Sequence, residues 1–488
     1  MGKLGPAGGT MMRKVLAMGW GLAMLACGGW VYAQPGQPGY AVVRPGGGIG
    51  GVAPSAVTPT AAVPEPAPLR MAGDAPVGQP AVNGAKDTAP APAPGMLPNG
   101  VYGGMMASPF ATLSSAVMDP PSSFGTETVW ISGGYLMGWL TRPKLATPLV
   151  TQGDVADPRP GALGQPGTRI LYGDEQFRFG NLHGMTAELG VNLNDRLYVE
   201  FRGFVFWPQH TRYTVSSDAN GAPFIARPVF DTLTNSEGSY RTSTPNDIVG
   251  YTRIDARQQL FGYETHARYN VKLTPYLDVD WLLGYRRMQL EEDLRIFDFL
   301  QPTGGSITFA GATISAPDTV TDFDRFKTMN QFNGVNLGGR FRWQSGYDWL
   351  AFQGYYKVAL GVTQQTLKIE GISVADTTVG RFAEVGGILA QSSNIGVHKR
   401  SEFGVIPELG VSMVFLPTRY VRLHAGYSAL YWNNVIRPTS SIDRRVNPAL
   451  VPTDTNFGIS NPGAFPAVTF KSESVWLQGI NFALELYY

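Results

Sequence analysis

The sequence predicts an all-β fold: a closed antiparallel transmembrane β-barrel of about ten strands, with long external loops and short periplasmic turns. Three observations carry the prediction. Ten runs in the C-terminal three-quarters alternate apolar and polar residues with period two, as a strand with one apolar face does. The connections between these runs alternate between long and short, the signature of outer-membrane barrels. Charged residues make up only 15% of the 488 residues, where a typical soluble chain has roughly 25%.

Composition also narrows function. With 38 Lys+Arg against 37 Asp+Glu there is no basic excess to draw nucleic acid. A single cysteine excludes a disulfide framework and any cysteine-rich metal site, and no cofactor is expected.

Residues 1–33 read as a signal peptide. Arg13 and Lys14 precede an apolar stretch from Val15 to Cys27, and Val31-Tyr32-Ala33 supplies the small residues of a cleavage site. Met11 and Met12 are alternative starts, and Met24-Leu25-Ala26-Cys27 is a degenerate lipoprotein signal. No later stretch is apolar for the ~18 residues a membrane helix needs.

Residues 34–125 hold 17 of the 37 prolines and only 4 aromatic residues. Segments such as Ala89-Pro90-Ala91-Pro92-Ala93-Pro94 cannot build a core and favour extended polyproline, so this region reads as a disordered periplasmic spacer. The body, residues 126–488, contains 49 of the 56 aromatic residues.

In the body the runs lie near 128–139, 182–193, 196–207, 258–270, 275–287, 330–343, 349–362, 401–415, 421–431 and 476–488. The last is the clearest: Trp476, Ile480, Phe482, Leu484, Leu486 and Tyr488 share a face opposite Gly479, Asn481, Ala483 and Glu485. Ile480, Phe482, Leu484, Leu486 and the terminal aromatic Tyr488 also read as the signal recognised by the barrel insertion machinery. Asn194-Asp195, Val271 to Thr274, Gln344 to Asp348 and Leu416 to Thr418 read as tight turns. The other five connections are read as about 35 to 50 residues each. Ile170 to Phe179 and Gln364 to Ile372 offer two further strands, so twelve is the alternative count.

The polar faces carry the candidate site residues: Glu188, Glu200, Arg202, Glu264, His266, Arg268, Arg340, Arg342, Glu408, Arg422, His424 and Glu485, joined by Asp278, Asp280, Arg286, Lys357 and Glu402. The opposite faces are nearly free of charge and end in Trp, Tyr and Phe, as lipid-facing bands do. Backbone polar groups in lipid must pair within the protein, so the sheet must close and these charges must line its lumen, where they would pair into a plug.

Several segments together resemble a known family, the planctomycete outer-membrane barrels called beta-barrel protein family seven. They are Pro148-Leu149-Val150-Thr151, Gly167-Thr168 with Leu171-Tyr172-Gly173, Ala226-Arg227-Pro228, Asn330 with Phe332, Pro407-Glu408-Leu409-Gly410, Gly426-Tyr427-Ser428 with Leu430-Tyr431-Trp432, Arg437-Pro438 with Ile442-Asp443, and Gln478-Gly479. Thr439-Ser440-Ser441 departs from the glycine-containing turn of that family. The resemblance implies a cell-surface barrel in the outer membrane and no established reaction.

Catalytic patterns are thin. The five histidines, His183, His210, His266, His398 and His424, form no metal-ligand spacing; His266 and His424 would face the lumen, where an acid/base role is conceivable, and spacing does not show whether Ser428 lies near a base. Asp322, Asp324 and Asp443, read as loop residues, lack the calcium-loop pattern. The sequence therefore points to a non-enzymatic structural or surface-interaction protein with a plugged lumen, then to a small diffusion channel, and last to a membrane-embedded hydrolase. The expected partners are outer-membrane lipids, the insertion machinery and an extracellular molecule.

Overall fold

The structure is a computed structural model that describes residues 129–488 apart from 146, 174–176, 178 and 461–462. The signal peptide and the spacer lie outside the described residues. Ten strands form a closed antiparallel ring: β1 (Val129–Leu140), β2 (Leu182–Asn192), β3 (Leu197–Phe206), β4 (Ile248–Thr274), β5 (Leu277–Pro302), β6 (Thr319–Gln344), β7 (Leu350–Thr377), β8 (Gly396–Thr418), β9 (Val421–Ile436) and β10 (Ser472–Tyr487). Each pairs with its chain neighbours, and β10 pairs back onto β1 with Trp130 opposite Tyr487. The count is ten and not twelve. Arg169–Tyr172 pairs outside the ring, with Val150–Gly153, and 364–372 is a continuation of β7.

The short turns close by local side-chain chemistry. Asn194 Oδ1 accepts from the backbone N–H groups of Arg196 and Leu197, an Asx-turn that reverses the chain between β2 and β3. Thr274, Ser345 and Thr418 use their hydroxyls in the same way, accepting from the N–H groups of Tyr276, Tyr347 and Tyr420.

The ring is uneven in height. β1, β2, β3, β9 and β10 have 10 to 16 residues, while β4 to β8 have 23 to 28. A tilted strand crosses a bilayer in about 9–11 residues. One half of the wall therefore rises well beyond the membrane on the external side. This extension corrects the loop lengths: the β5–β6 and β7–β8 connections shrink to residues 303–318 and 378–395.

Outward positions of the lower ring are exposed and apolar, among them Trp281, Leu283, Val335, Leu337, Leu409, Val411, Phe482 and Leu484. Along β10 the row from Trp476 to Leu486 covers about 33 Å of strand, or roughly 25 Å of height at the usual tilt, which matches a hydrocarbon slab. Aromatic residues flank it: Trp343 stacks on Phe352 and Trp349 on Phe415 at the turn end, and Trp139, Trp207 and Trp476 mark the other rim.

Above the ring, loops 141–181, 207–247 and 437–471 build a cap. Its sheet centres on Phe224–Asp231, which pairs with Val150–Gly153, with Ser236–Ser243 and with Arg445–Val446. An apolar core including Leu149, Ile225, Phe177, Ile254, Phe326, Ile369 and Val446 joins the cap to the inner face of the tall wall.

Candidate functional site

Neighbouring strands of a ring touch through their edges, so a side-chain contact between non-neighbouring strands must cross the interior. Several such contacts define a charged layer. Lys357 on β7 donates to Glu264 on β4 at 2.5 Å. Arg286 on β5 binds both Glu264 and Glu408 on β8, and the Tyr355 hydroxyl donates to Glu408 at 2.8 Å. Arg340 on β6 reaches Glu200 on β3 at 2.5 Å, while Arg268 lies 3.2 Å from Asp280 and 3.8 Å from Glu200. His266 shares a 2.9 Å hydrogen bond with Asn336. Near the β9–β10 seam, Glu485 meets Arg422 at 3.3 Å and His424 at 3.1 Å.

The remaining candidates sit beside these groups. Glu188 accepts from the Trp130 indole at 3.3 Å, Arg202 is paired in register with both Glu188 and Glu264, and Arg342 is opposite Asp278. A local device makes room for Trp130. A Cβ on Gly190 would lie 1.8 Å from the indole, so glycine is required where the ring seats.

A second layer lies directly above and is apolar. Leu182, Phe206, Leu260, Met288, Leu290, Phe332, Ile406, Leu430 and Trp432 are buried together on the inward faces, and Trp432 donates to Thr363 at 3.1 Å. The sequence reading expected a charged plug alone. It missed this layer because inward apolar residues interrupt the polar face only where the strands leave the charged zone.

The third layer fastens the cap. Arg227 is fully buried and donates to the Leu149 carbonyl at 2.8 Å and to Asp298 at 2.7 Å, with Asp324 at 3.6 Å. Arg437 makes a two-pronged pair with Glu292 at 3.0 Å and donates to the Thr141 carbonyl. Asn330 binds both the N–H and the carbonyl of Ile436. Asp322 and Asp324 were read as loop residues, but both lie on the inward face of β6, because that strand continues past the membrane. Asp322 accepts from Ser373 at 2.5 Å, and Asp324 accepts from the N–H groups of Leu389 and Ala390. Burial pushes Asp322 up to about 7 and Asp324 up to about 6. Asp443 instead stays on the 437–471 loop, paired with Arg445.

A serine hydroxyl that meets a carboxylate here is that of Ser373, bonded to the buried Asp322. Ser428 faces inward with Gly410 and Gly479 as its register neighbours, and His424, four positions below on the same face, is about 13 Å away. His183 bonds the Tyr135 hydroxyl on the outer surface, His398 bonds the Asn394 carbonyl, and His210 is opposite Arg257 on the outer wall. Among the described residues no three His, Cys, Asp or Glu side chains converge to hold a metal ion. Of the residues that the sequence reads as an insertion signal, Phe482, Leu484, Leu486 and Tyr488 are exposed on the outward face, and Ile480 lies in the same row.

Comparison with known proteins decides the family. Residues 130–488 match the family described as Putative beta barrel porin-7. The chain belongs to that family. Among solved structures this porin-7 family member is similar to the outer membrane protease OmpT of Escherichia coli, at 9% identity over 74% of this chain and 97% of that one, with a TM-score of 0.32. It is also similar to a FadL homologue of Pseudomonas aeruginosa, at 9% identity over 74% of this chain and 90% of that one, with a TM-score of 0.18. At such values neither likeness bears on activity. No curated protein matches the chain. Family and strand architecture together make this an outer-membrane β-barrel. The segments on which the sequence resemblance rests supply the fastening residues Leu149, Arg227, Asn330 and Arg437, which composition and periodicity did not single out.

Proposed function

We propose that this porin-7 family member is a non-enzymatic surface barrel, closed to diffusion, whose cap presents an external interaction surface. The observation that supports the reading is the stacking of three buried layers in series: the charge network around Glu264, the apolar layer around Phe332 and Trp432, and the cap core. A solute would have to displace all three. Separating buried ion pairs costs several kcal/mol each, and opening packed apolar layers costs more. The purified full-length protein in a planar bilayer should show little or no steady conductance. A large, stable conductance would overturn the closed reading.

The family description favours a second reading, a small diffusion channel, and it needs the cap to swing away. Arg227 and Arg437 are the fastenings such a channel would have to release. We further infer that the row ending at Tyr488 is read by the insertion machinery, and that the outward belt contacts outer-membrane lipid.

A further inference from the structure

The outer surface of the tall wall changes character with height, and the registers are continuous across strands. On β7 and β8 the apolar band ends at Val362 and Phe403, paired in register, while Asn333 and Arg287 continue that row on β6 and β5. Directly above it Gln289, Gln331 and Gln364 stand opposite one another on β5, β6 and β7, with Gln331 donating to Gln289 at 2.8 Å. Four to six residues further up, cations face each other. Lys327 is directly opposite Lys368, and Arg295 directly opposite Arg325. Like charges in direct cross-strand register are destabilising, yet two such pairs occupy adjacent registers here.

Carboxylates only partly relieve them. Asp293 is shared between Arg295 at 2.7 Å and Arg325 at 2.8 Å. Glu370 is shared between Arg325 at 2.9 Å and Lys368 at 2.6 Å, and Glu291 meets Lys327 at 2.5 Å. Next to this quartet Asp255 is shared between Arg212 and Arg253. Arg257 and Lys399, in the adjacent registers, are exposed. Eight cations thus meet four carboxylates, leaving a surplus of four. Arg295 and Lys368 keep 47% and 44% of their side-chain surface open, so the surplus can be reached from outside.

We propose that this face binds the phosphorylated headgroup of an outer-leaflet glycolipid. The order of chemistry along the wall matches such a molecule: apolar rows for acyl chains, the neutral glutamine ladder for sugar hydroxyls, then paired guanidinium and ammonium groups for phosphate. Height selects the class. Lys327 and Lys368 lie six residues above the Val362 row, about 20 Å along the strand and roughly 15 Å above the hydrocarbon edge. That exceeds the roughly 5–8 Å of headgroup layer over a glycerophospholipid's chains, so the phosphate must be carried outward on sugars.

The test uses the full-length protein in neutral detergent micelles. The probes are lipopolysaccharide with a phosphorylated core, the same material after phosphatase treatment, phosphatidylglycerol and millimolar inorganic phosphate. Binding is read by native mass spectrometry. The phosphorylated glycolipid should bind at least tenfold more tightly than either other lipid, and inorganic phosphate should not displace it. Lys327→Gln with Lys368→Gln should weaken it about tenfold, and adding Arg295→Gln and Arg325→Gln should weaken it further. Unboiled gel migration checks that each variant is folded, and the double variant serves if the quadruple does not fold. Equal binding of the phosphatase-treated lipid or of phosphatidylglycerol, displacement by inorganic phosphate, or full binding by a folded variant would each overturn the assignment.

Discussion

Asp322 illustrates how a single residue can tie the cap to pH. It is fully buried and faces Ser373 from β7, Asp298 from β5, Asp324 from its own strand, Thr453 from the 437–471 loop and Arg227 from the cap sheet. Burial holds its proton up to about pH 7, against an ordinary aspartate value of 3.8. A proton held more tightly in the folded than in the unfolded chain adds stability that is complete below the ordinary value and is lost as pH rises through 7. Asp324, pushed up to about 6, acts in the same direction. Asp322→Asn keeps the acceptor for Ser373 and removes the charge. It should therefore stabilise the cap by about 2 kcal/mol more at pH 8 than at pH 5. Amide hydrogen exchange along residues 224–231 would measure this, and an equal effect at both pH values would contradict the assignment.

Among elements, the strand Phe224–Asp231 depends most on one side chain. Arg227 is its link to the barrel wall, and losing it leaves Asp298 and Asp324 buried without their cation. Breaking one partner of a buried pair costs about 3–5 kcal/mol. Arg227→Met should let the cap open while the ring below stays intact. Limited proteolysis should then cut loops 141–181 and 207–247 while unboiled protein still migrates as a folded barrel. Continued protection of both loops would show that the apolar core alone holds the cap. β10 makes a second test, because its outward row ends at exposed Tyr488. Deleting Tyr488 should reduce insertion into the outer membrane by several-fold while export continues, as read by fractionation. Unchanged insertion would remove the residue from that role.

For the whole molecule, the proposed closed lumen lets stability and permeability be tested separately. Arg340, Arg342 and Arg422 all belong to the charged layer, where Arg340 meets Glu200 and Arg422 meets Glu485. A charged plug standing alone would open when these were removed. With the apolar layer above it, the triple replacement by Ala should lower the temperature at which the unboiled band converts to the boiled one, yet leave conductance near zero. Conductance rising to a porin-like level in this variant would place the whole seal in the charged layer.

Much of this architecture was legible in the chain itself. Period-two alternation in β10, the asparagine at Asn194 and the small polar residues of the other turns act over a few neighbouring residues, so strand number, facing and the inward set from Glu188 to Glu485 could be read locally. The tertiary structure alone decided which charges meet, since Arg340 and Glu200 are 140 positions apart and join only after the ring closes with a given stagger. It likewise decided that Asp322 and Asp324 are wall residues, that Phe332 and Trp432 share an apolar layer, and that Arg227 and Arg437 turn inward. Those outcomes depend on how far β4 to β8 outreach the other strands and on what the loops can bury against them, and no short window of sequence contains that information.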